Sequence, residues 1–483
     1  MIPTRARAMA LVLVFTAAAC TNGAAPSSTT PGTPVTSAAS PASTSPATSP
    51  ATAATDPSTT DPSTTAPSLE VPHDIGVSPG PCPDSPNPDN ACIYVGVISD
   101  LSEGPLAEHA VALTEAQIDF WAAVNAEGGL DGFDVAITPE AIVDARSDSG
   151  EHVAGYAGIS PSVAALAQTF GTSQTRAVLP DLVAGSTVAV PTTRWSGWSF
   201  DDVDGGVILE AGAPYCLESM NGFDFVISAR EGAPFTYAVA IPPGADGADY
   251  AAGVRIAAAA NGFDAPLVAV EVVPFAAGGD ATISEAIDQL VAAAPEVVFL
   301  ATGPRETATI MAGVYQGGHQ TALYVGAASS WDAGLLSQEA LVPLLEASFF
   351  VTSPWAGWAA DSPGHERMRA AAHAGGRTPS TGYLAGWVLQ YNLLAVLERA
   401  IEEGDLTREG GGLLAAAAEV EDVDYEGMLP PRSFAGTPDE VVPRQIIVNR
   451  IDATSPDGTV PAAPFFVGST ASAFDFEAPC ASG

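Results

Sequence analysis

Residues 93–137 read IYVGVISDLSEGPLAEHAVALTEAQIDFWAAVNAEGGLDGFDVAI, and this stretch decides the fold. It begins with a nearly continuous apolar run at 93–98, which is typical of a strand buried on both faces of a parallel sheet. After a polar loop, apolar residues recur at helical spacing from His109 until the glycine pair at 128–129 ends the helix. Alternating apolar residues at 133–137 then indicate a second strand. The stretch is therefore predicted to be one β-α-β unit.

The same alternation continues along the chain. Further strands are predicted at 163–167, 187–190, 236–241, 268–273, 296–301, 323–325, 349–352 and 444–451, and helices at 176–184, 215–227, 250–260, 283–294, 307–315 and 382–401. Repeated units of this kind predict an α/β protein with parallel sheets that helices cover on both faces. Open sheets of this class bind ligands beyond the carboxyl ends of their strands, so the loops there are candidate sites.

Composition and charge limit the classes of function that this protein could have. The 483 residues leave room for more than one domain, and 47% of them are hydrophobic, which is ample for a packed core. The net charge is −40, from 56 acidic and 16 basic residues, and the sequence contains no lysine. A nucleic acid partner is therefore not expected.

The N-terminus predicts export. Arg5 and Arg7 precede an apolar segment, and small residues then lead to Cys20, as in a bacterial lipoprotein signal peptide at 1–20. Cys20 would carry the lipid and anchor the protein to the cell membrane on its extracytoplasmic side. The alternative is an ordinary signal peptide with Cys20 present by chance. Residues 21–81, rich in Ser, Thr, Pro and Ala, are predicted to form a disordered tether.

The other cysteines are an even number in an exported chain, where disulfides are permitted. They are Cys82, Cys92, Cys216 and Cys480. Three pairings are possible. Cys82 and Cys92 flank a short loop that could close a local bridge, leaving Cys216 to pair with Cys480 and hold the C-terminal tail. A zinc site is the poorer interpretation, because no C-x-x-C pair and no spaced histidine couple occur.

The sequence lacks the signatures of nucleotide hydrolysis and zinc proteolysis. The sequence has no G-x-x-x-x-G-K-[ST] and no H-E-x-x-H. His365 and Glu366 begin like a metalloprotease helix, but Arg369 stands where the second histidine is required. Paired acids arise by chance among 56 acidic residues. We therefore expect no enzymatic activity, no cofactor and no metal.

The opening unit, a strand followed by S-x-x-S-x-G-P and a helix that ends on N-A-E-G-G-L-D-G, resembles the leucine/isoleucine/valine-binding protein family. The similarity covers about residues 92–451. It implies the type I periplasmic binding protein fold, with two doubly wound parallel-sheet lobes and a cleft between them. Members of this family are extracytoplasmic receptors that deliver small solutes, such as amino acids, to an ABC permease. A monomer is expected, and the alternative role is a ligand sensor that signals to a partner protein.

The resemblance also implies a division of the chain. The first lobe would span 82–232 and return at 353–435, the second lobe would span 233–352, and 436–483 would form part of the second lobe, the hinge and the C-terminal tail. The chain would then cross between lobes near Gly232, Thr352 and Ala435.

By position, the resemblance assigns a ligand site to both walls of the cleft. The proposed ligand-binding residues are His109, Ser173, Thr175, Thr192, Arg194, Trp195, Gly303, Ser329 and Asp332. For Ser173 and Thr175 the alternative role is helix N-capping, for Arg194 an ordinary surface position, and for Trp195 core packing. The residue that meets a ligand ammonium is left open, because residues 327–330 are alanine and serine where the family has an acidic residue. Asp332 or Glu306 could serve, or the ligand is not an α-amino acid.

Overall fold

The structure, a computed structural model, describes residues 71–104 and 106–481. The predicted signal peptide, the lipidation site Cys20 and the tether up to residue 70 lie outside these residues. Within the described residues, no helix is both long enough and apolar enough to cross a membrane.

The described chain alternates strands and helices, as the sequence predicts. The strands are β1 Val77–Ser78, β2 Ala91–Ser99, β3 Phe133–Ala136, β4 Ile142–Asp144, β5 Ala165–Thr169, β6 Ala189–Pro191, β7 Tyr237–Ile241, β8 Val268–Glu271, β9 Val297–Leu300, β10 Leu323–Gly326, β11 Phe349–Ser353, β12 Ile446–Ile451 and β13 Thr459–Phe466. The helices are α1 Ala107–Ala126, α2 Ser149–Ile159, α3 Thr172–Ala184, α4 Asp201–Asp204, α5 Tyr215–Ala229, α6 Ala245–Ala260, α7 Asp280–Ala293, α8 Pro304–Gln316, α9 Val342–Ser348, α10 Pro363–Gly375, α11 Thr381–Glu403, α12 Gly412–Glu419, α13 Pro438–Val441 and α14 Ser469–Ala473.

The first sheet has six strands and is built around β2, the apolar run of the deciding stretch. β2 pairs in parallel with β5, which pairs in parallel with β6, and it pairs in parallel with β3 and β4 as well. β1 is antiparallel to it. Helices α1 and α11 cover one face of this sheet, and α2 and α3 cover the other. Burial on both faces explains why β2 is apolar almost throughout.

The second sheet has seven strands in the order β13-β12-β11-β10-β9-β7-β8. The pairs from β11 to β8 are parallel, whereas β12 and β13 add an antiparallel end. Helices α5, α6 and α14 pack on one face, and α7 and α8 on the other. Two sheets, each covered by helices on both faces, confirm the predicted α/β fold of two lobes.

Helix α11 packs closely on α1, so the chain returns to the first lobe at this helix. A Cβ atom on Gly386 of α11 would lie 2.2 Å from the carbonyl oxygen of Leu113 in α1, so only glycine allows this approach. Phe120 of α1 then packs edge to face against Trp387 and Tyr391 of α11, at ring centroid distances of 5.1 Å. The long helix expected at 382–401 therefore rejoins the first sheet.

Helix α5 lies in a different lobe from the one that the sequence assigned to it. The predicted first lobe ran to residue 232 and so included this helix. Phe223 of α5 instead stacks on Phe299 of β9, with ring centroids 5.3 Å apart, and packs edge to face on Tyr237 of β7. Its apolar face is therefore buried against the second sheet, and the packing places the first crossing before Tyr215.

The folded part also begins earlier than the predicted tether allows. Residues 71–81 were assigned to that tether, but β1 lies within them and pairs with β2. The Asp74 carboxylate accepts hydrogen bonds from the backbone N–H groups of Arg408 (2.7 Å) and Glu409 (2.9 Å). These charge-assisted bonds hold the segment on the first lobe.

Both predicted disulfides are confirmed. Cys82 is bonded to Cys92, and Cys216 to Cys480. The first bridge closes a short loop beside the start of β2. The second joins α5 to the C-terminal segment, which also donates the Cys480 N–H to the Ser196 hydroxyl at 2.9 Å. The tail therefore contacts both α5 and the loop that follows β6.

Candidate functional site

A cleft of about 380 Å³ lies between the two sheets, at the carboxyl ends of their parallel strands. The first sheet contributes the segments that follow β2, β5 and β6, and the second sheet those that follow β7 to β11. Pockets for small molecules commonly measure about 300–1,000 Å³. The cleft therefore has the place and the size of a ligand site in an α/β protein.

Most of the wall is apolar. Large apolar side chains that border the cleft are Leu106, Leu113, Phe170, Tyr215, Trp331, Trp355 and Leu384. Such a wall buries the hydrocarbon part of a ligand, while a few polar groups fix its orientation. The polar groups therefore decide which ligands fit.

The structure brings six of the nine sequence-predicted residues to this wall. They are His109, Ser173, Thr192, Arg194, Gly303 and Ser329. The first four come from the first lobe, and Gly303 and Ser329 from the loops after β9 and β10. Their role as ligand contacts stays a prediction.

The other three predicted residues do not border the cleft. Thr175 lies on the buried face of α3, with its Oγ1 2.9 Å from the hydroxyl of Thr169. Trp195 packs edge to face against Trp198 and donates its indole N–H to the Ala481 carbonyl. Asp332 accepts a hydrogen bond from the Gly334 N–H at 2.7 Å and so holds its own loop. These side chains stabilise the walls, and core packing, the alternative considered for Trp195, is what the structure shows.

Ser173 reaches the cleft because α3 begins earlier than predicted. Gly171 has φ +82° and serves as the N-cap residue, so the helix starts at Thr172 instead of 176. No side chain caps this helix, which removes the capping role considered for Ser173. Ser173 instead lies in the first turn, where unpaired backbone N–H groups favour an anionic ligand group.

Arg194 is buried in the cleft wall and is not an ordinary surface residue. Its side chain is 4% exposed, and its Nη1 lies 2.6 Å from Glu218 Oε2. The same nitrogen donates to the Ala213 carbonyl at 2.6 Å. The guanidinium also lies over the ring of Tyr215, 4.7 Å from its centroid. These contacts fix the guanidinium in one position beside the cleft.

Glu218, which holds Arg194, is a residue that the sequence analysis missed. Its Oε1 accepts hydrogen bonds from the Thr352 hydroxyl at 2.6 Å and from the Ala328 N–H at 3.0 Å. Thr352 lies on β11, and Ala328 follows β10. Glu218 therefore links Arg194, on the loop after β6 of the first sheet, to the second sheet.

His109 is uncharged at neutral pH in this environment. Enclosure in the cleft lowers the pKa of its imidazole, and the nearby Asp332 carboxylate only partly opposes this effect. Because the imidazole is neutral, His109 offers a ligand one donor and one acceptor but no positive charge.

Asp246 is the acidic group beside Arg194 and was also missed. It lies in the first turn of α6, borders the cleft, and accepts a hydrogen bond from the Thr172 hydroxyl at 2.5 Å. Burial between the lobes raises the pKa of its carboxyl to about 6, although Thr172 and the charge of Arg194 act in the other direction. A cationic ligand group would stabilise the ionised form of this buried carboxyl.

Three further carboxylates on the wall hold backbone in place, and one of them, Asp457, accepts a hydrogen bond from the Trp358 N–H at 2.9 Å. Asp100 accepts a hydrogen bond from the Ser147 N–H at 2.6 Å, and burial raises its pKa. Glu306, one of the two residues considered for a ligand ammonium, accepts from the Phe275 N–H at 2.8 Å. All three are engaged by loop backbone, whereas Asp246 is held by the Thr172 hydroxyl and is the better placed acid.

The described residues offer little for catalysis or metal binding. Among the described residues of the cleft, His109 makes no hydrogen bond to a hydroxyl. One described group has the spacing of metal ligands, namely Cys216, Asp249 and Cys480, but its two sulfur atoms form a disulfide. The arrangement supports binding of a small amphiphilic molecule.

Comparisons with known proteins agree with this geometry. A family model described as "Periplasmic binding protein" matches residues 92–456. No curated protein matches the sequence. Among solved structures, a fatty acid ABC transporter substrate-binding protein from Thermomonospora curvata has a TM-score of 0.72 at 21% identity, covering 84% of this chain and 97% of that chain.

Two other solved structures bind different ligands on the same fold. A branched chain amino acid ABC transporter from Thermus thermophilus with bound valine has a TM-score of 0.67 at 13% identity, covering 79% of this chain and 98% of that chain. An ABC transporter solute binding protein from R. palustris in complex with 4-hydroxybenzoate has a TM-score of 0.62 at 16% identity, covering 78% and 97%. Identities this low show the fold alone, and the named ligands belong to those proteins.

Proposed function

Because the chain belongs to the periplasmic binding protein family, we propose that it captures an amino acid or a related small solute in the interlobe cleft and delivers it to an ABC permease. The family consists of solute-binding proteins of ABC transporters and not of enzymes. The observation that carries the proposal is the pair of opposite charges, Arg194 and Asp246, on a cleft wall that is otherwise mostly apolar. An amino acid presents matching charges on an apolar body.

In this proposal each charge of the solute has a partner. The ligand carboxylate meets Arg194, together with the hydroxyls of Ser173 and Thr192. The ligand ammonium meets Asp246, in place of the Asp332 or Glu306 that the sequence suggested. The Arg194 and Asp246 charges act on each other, and a zwitterion placed between them adds no net charge.

Capture works by a shift in populations. The ligand touches both lobes only when they are closed, so it stabilises the closed form by those additional contacts. A lipid on Cys20 would hold the monomeric protein at the extracytoplasmic face of the membrane. Replacing Cys20 by alanine should then release the protein from the membrane fraction into the medium, and equal release of the wild type would contradict the anchor.

The test is a thermal-unfolding screen of the purified protein against the common L-amino acids, fatty acids and hydroxybenzoates. A ligand at 100 times its Kd stabilises the folded state by about 2.7 kcal/mol, which is a measurable increase in melting temperature. We expect at least one amino acid or close relative to produce it. If no member of the set raises the melting temperature, the proposed function is wrong.

A further inference from the structure

Two buried polar atoms on the cleft wall have no hydrogen-bond partner among the described residues. One is the hydroxyl oxygen of Thr381, and the other is the side-chain oxygen of Asn449. A buried polar atom without a partner costs free energy, so such atoms are rare and need an explanation. Both residues border the same cleft, which points to a ligand group as the missing partner.

Asn449 borders the cleft, and its carboxamide makes no hydrogen bond to a described residue. It lies on β12, directly across from Val351 of β11, and its side chain is 4% exposed. Besides the unpaired oxygen, its Nδ2 donates to no described protein acceptor. The carboxamide therefore has one acceptor and one donor available, whichever way round its O and N atoms are assigned.

The hydroxyl of Thr381 is not needed by the helix that carries it. Thr381 is the first residue of α11, but the residue before it, Ser380, is the N-cap and accepts the hydrogen bond from the Tyr383 N–H at 3.1 Å. A threonine hydroxyl at this position has no local role. Its oxygen is buried without a partner, and the residue borders the cleft.

The two residues belong to different lobes. Thr381 begins the helix that packs on the first sheet, whereas Asn449 lies on a strand of the second sheet. A group that binds both residues therefore contacts both lobes at once. Such a contact exists only when the lobes are closed, which is the condition for a ligand to stabilise closure.

We propose that Thr381 and Asn449 form a second polar subsite of the cleft, and that the ligand carries an uncharged hydroxyl or carboxamide that binds there. The inference rests on the proposed capture function and narrows its ligand class. Thr381 and Asn449 are uncharged and can each donate and accept, so a hydroxyl or carboxamide pairs with both of them. A solute with a purely aliphatic end leaves both side chains without a partner.

The experiment uses two matched pairs of probes that differ only in a terminal hydroxyl. The first pair is L-norleucine and 6-hydroxy-L-norleucine, and the second is hexanoate and 6-hydroxyhexanoate. Titration calorimetry gives the affinity ratio within each pair. We expect the hydroxylated member of at least one pair to bind about tenfold or more tightly than its partner, because sites built around a hydrogen bond reject analogues that lack it.

Two nearly isosteric variants test the residues themselves. Thr381→Val and Asn449→Leu should bring the affinity ratio close to one. Neither should lower the melting temperature of the ligand-free protein, since each removes an atom that has no partner there. The matched control is Thr114→Val, whose buried hydroxyl donates to the Ala110 carbonyl outside the cleft. This control should lower the melting temperature and leave the affinity ratio unchanged.

The outcomes separate the inference from the proposed function. Equal affinities within every pair that binds overturn the second subsite and leave the capture function in place. A lower melting temperature in both cleft variants, with the affinity ratio unchanged, shows a structural role and also overturns the subsite. Failure of all four probes to bind counts against the subsite, and the solute screen then decides the capture function separately.

Discussion

Two buried arginine–glutamate pairs occur in the described chain, and their surroundings differ. Arg194 and Glu218 have side chains 4% and 0% exposed, with Nη1 2.6 Å from Oε2. Arg432 and Glu210 are 4% and 3% exposed, with Nη1 3.1 Å from Oε1. Each guanidinium also lies over an aromatic ring. By burial and chemistry the two pairs are almost the same.

Their positions in the fold separate them. Arg194 borders the cleft, and its partner Glu218 is held by groups from the second sheet. Glu210 instead accepts from the Ser199 hydroxyl at 3.2 Å, and its pair with Arg432 lies away from the interlobe cleft. A buried ion pair alone therefore does not mark a functional site. The position at the carboxyl ends of the strands gives the first pair its proposed role.

The largest expected effect is on stability and is shared by both pairs. Glu218→Ala and Glu210→Ala should each lower the free energy of unfolding by about 3–5 kcal/mol, because each leaves a buried guanidinium without its counter-charge. Denaturant unfolding measures this loss. A loss below about 1 kcal/mol, the range of exposed ion pairs, would show that the pair is open to solvent.

The second prediction concerns the disulfide that lies beside only one of the pairs. Cys216 and Glu218 are in the same first turn of α5, and the bridge to Cys480 closes a loop with a sequence separation of 264. Replacing both cysteines by alanine should lower the free energy of unfolding by about 2–4 kcal/mol and also weaken ligand binding.

The control for this prediction is the other bridge. Cys82 and Cys92 have a separation of only 10, so their replacement by alanine should cost less stability. It should leave ligand affinity unchanged, because this bridge lies beside β2 and not beside Glu218. Equal loss of affinity in both double variants would contradict a specific role of the Cys216 bridge at the site.

The third and smallest effect is a pH dependence that belongs to the cleft pair. Asp246 lies beside Arg194, and burial raises its pKa to about 6. The folded protein therefore holds this proton more tightly than the unfolded chain does. The stabilisation of the fold by this bound proton is fully present below about pH 4 and is lost as the pH rises through 6.

Asp246→Asn removes this titration. The variant should have a higher melting temperature than the wild type at pH 7, and this difference should disappear at pH 4. Thermal unfolding across this pH range measures the difference. A gain that is the same at both pH values would show that Asp246 does not titrate in this window.

Most of the fold could be predicted from the sequence, because local patterns of apolar residues indicate its strands and helices. The apolar run of β2 and the helical spacing of α1 and α11 predicted these elements within a few residues. Other local signals were present but not used. Ser362 and Pro363 followed by Glu366 form a typical helix start, and they begin α10. Strand β13 contains Pro461 and Pro464, which argue against a strand, and it lies at the edge of its sheet.

The site could be predicted from the sequence only in part. The loops after β5 and β6 were found because their place at the strand ends follows from the βα order. Glu218, Asp246 and Asn449 have no local signature. Two of them are acids in a chain with 56 acidic residues, and packing between the lobes alone sets their environment. Asp332 was chosen by sequence position, and its own loop turns the carboxylate toward Gly334.

The affinity of the two arginine variants tests the central claim most directly. With a ligand found in the solute screen, titration calorimetry should show that Arg194→Ala weakens binding by about 1.5–3 kcal/mol, the contribution of a charged hydrogen bond. Arg432→Ala, which breaks the equivalent buried pair outside the cleft, should leave the affinity unchanged. Equal losses in both variants, or unchanged affinity in Arg194→Ala, would contradict the assignment of the cleft beside Arg194 as the solute site.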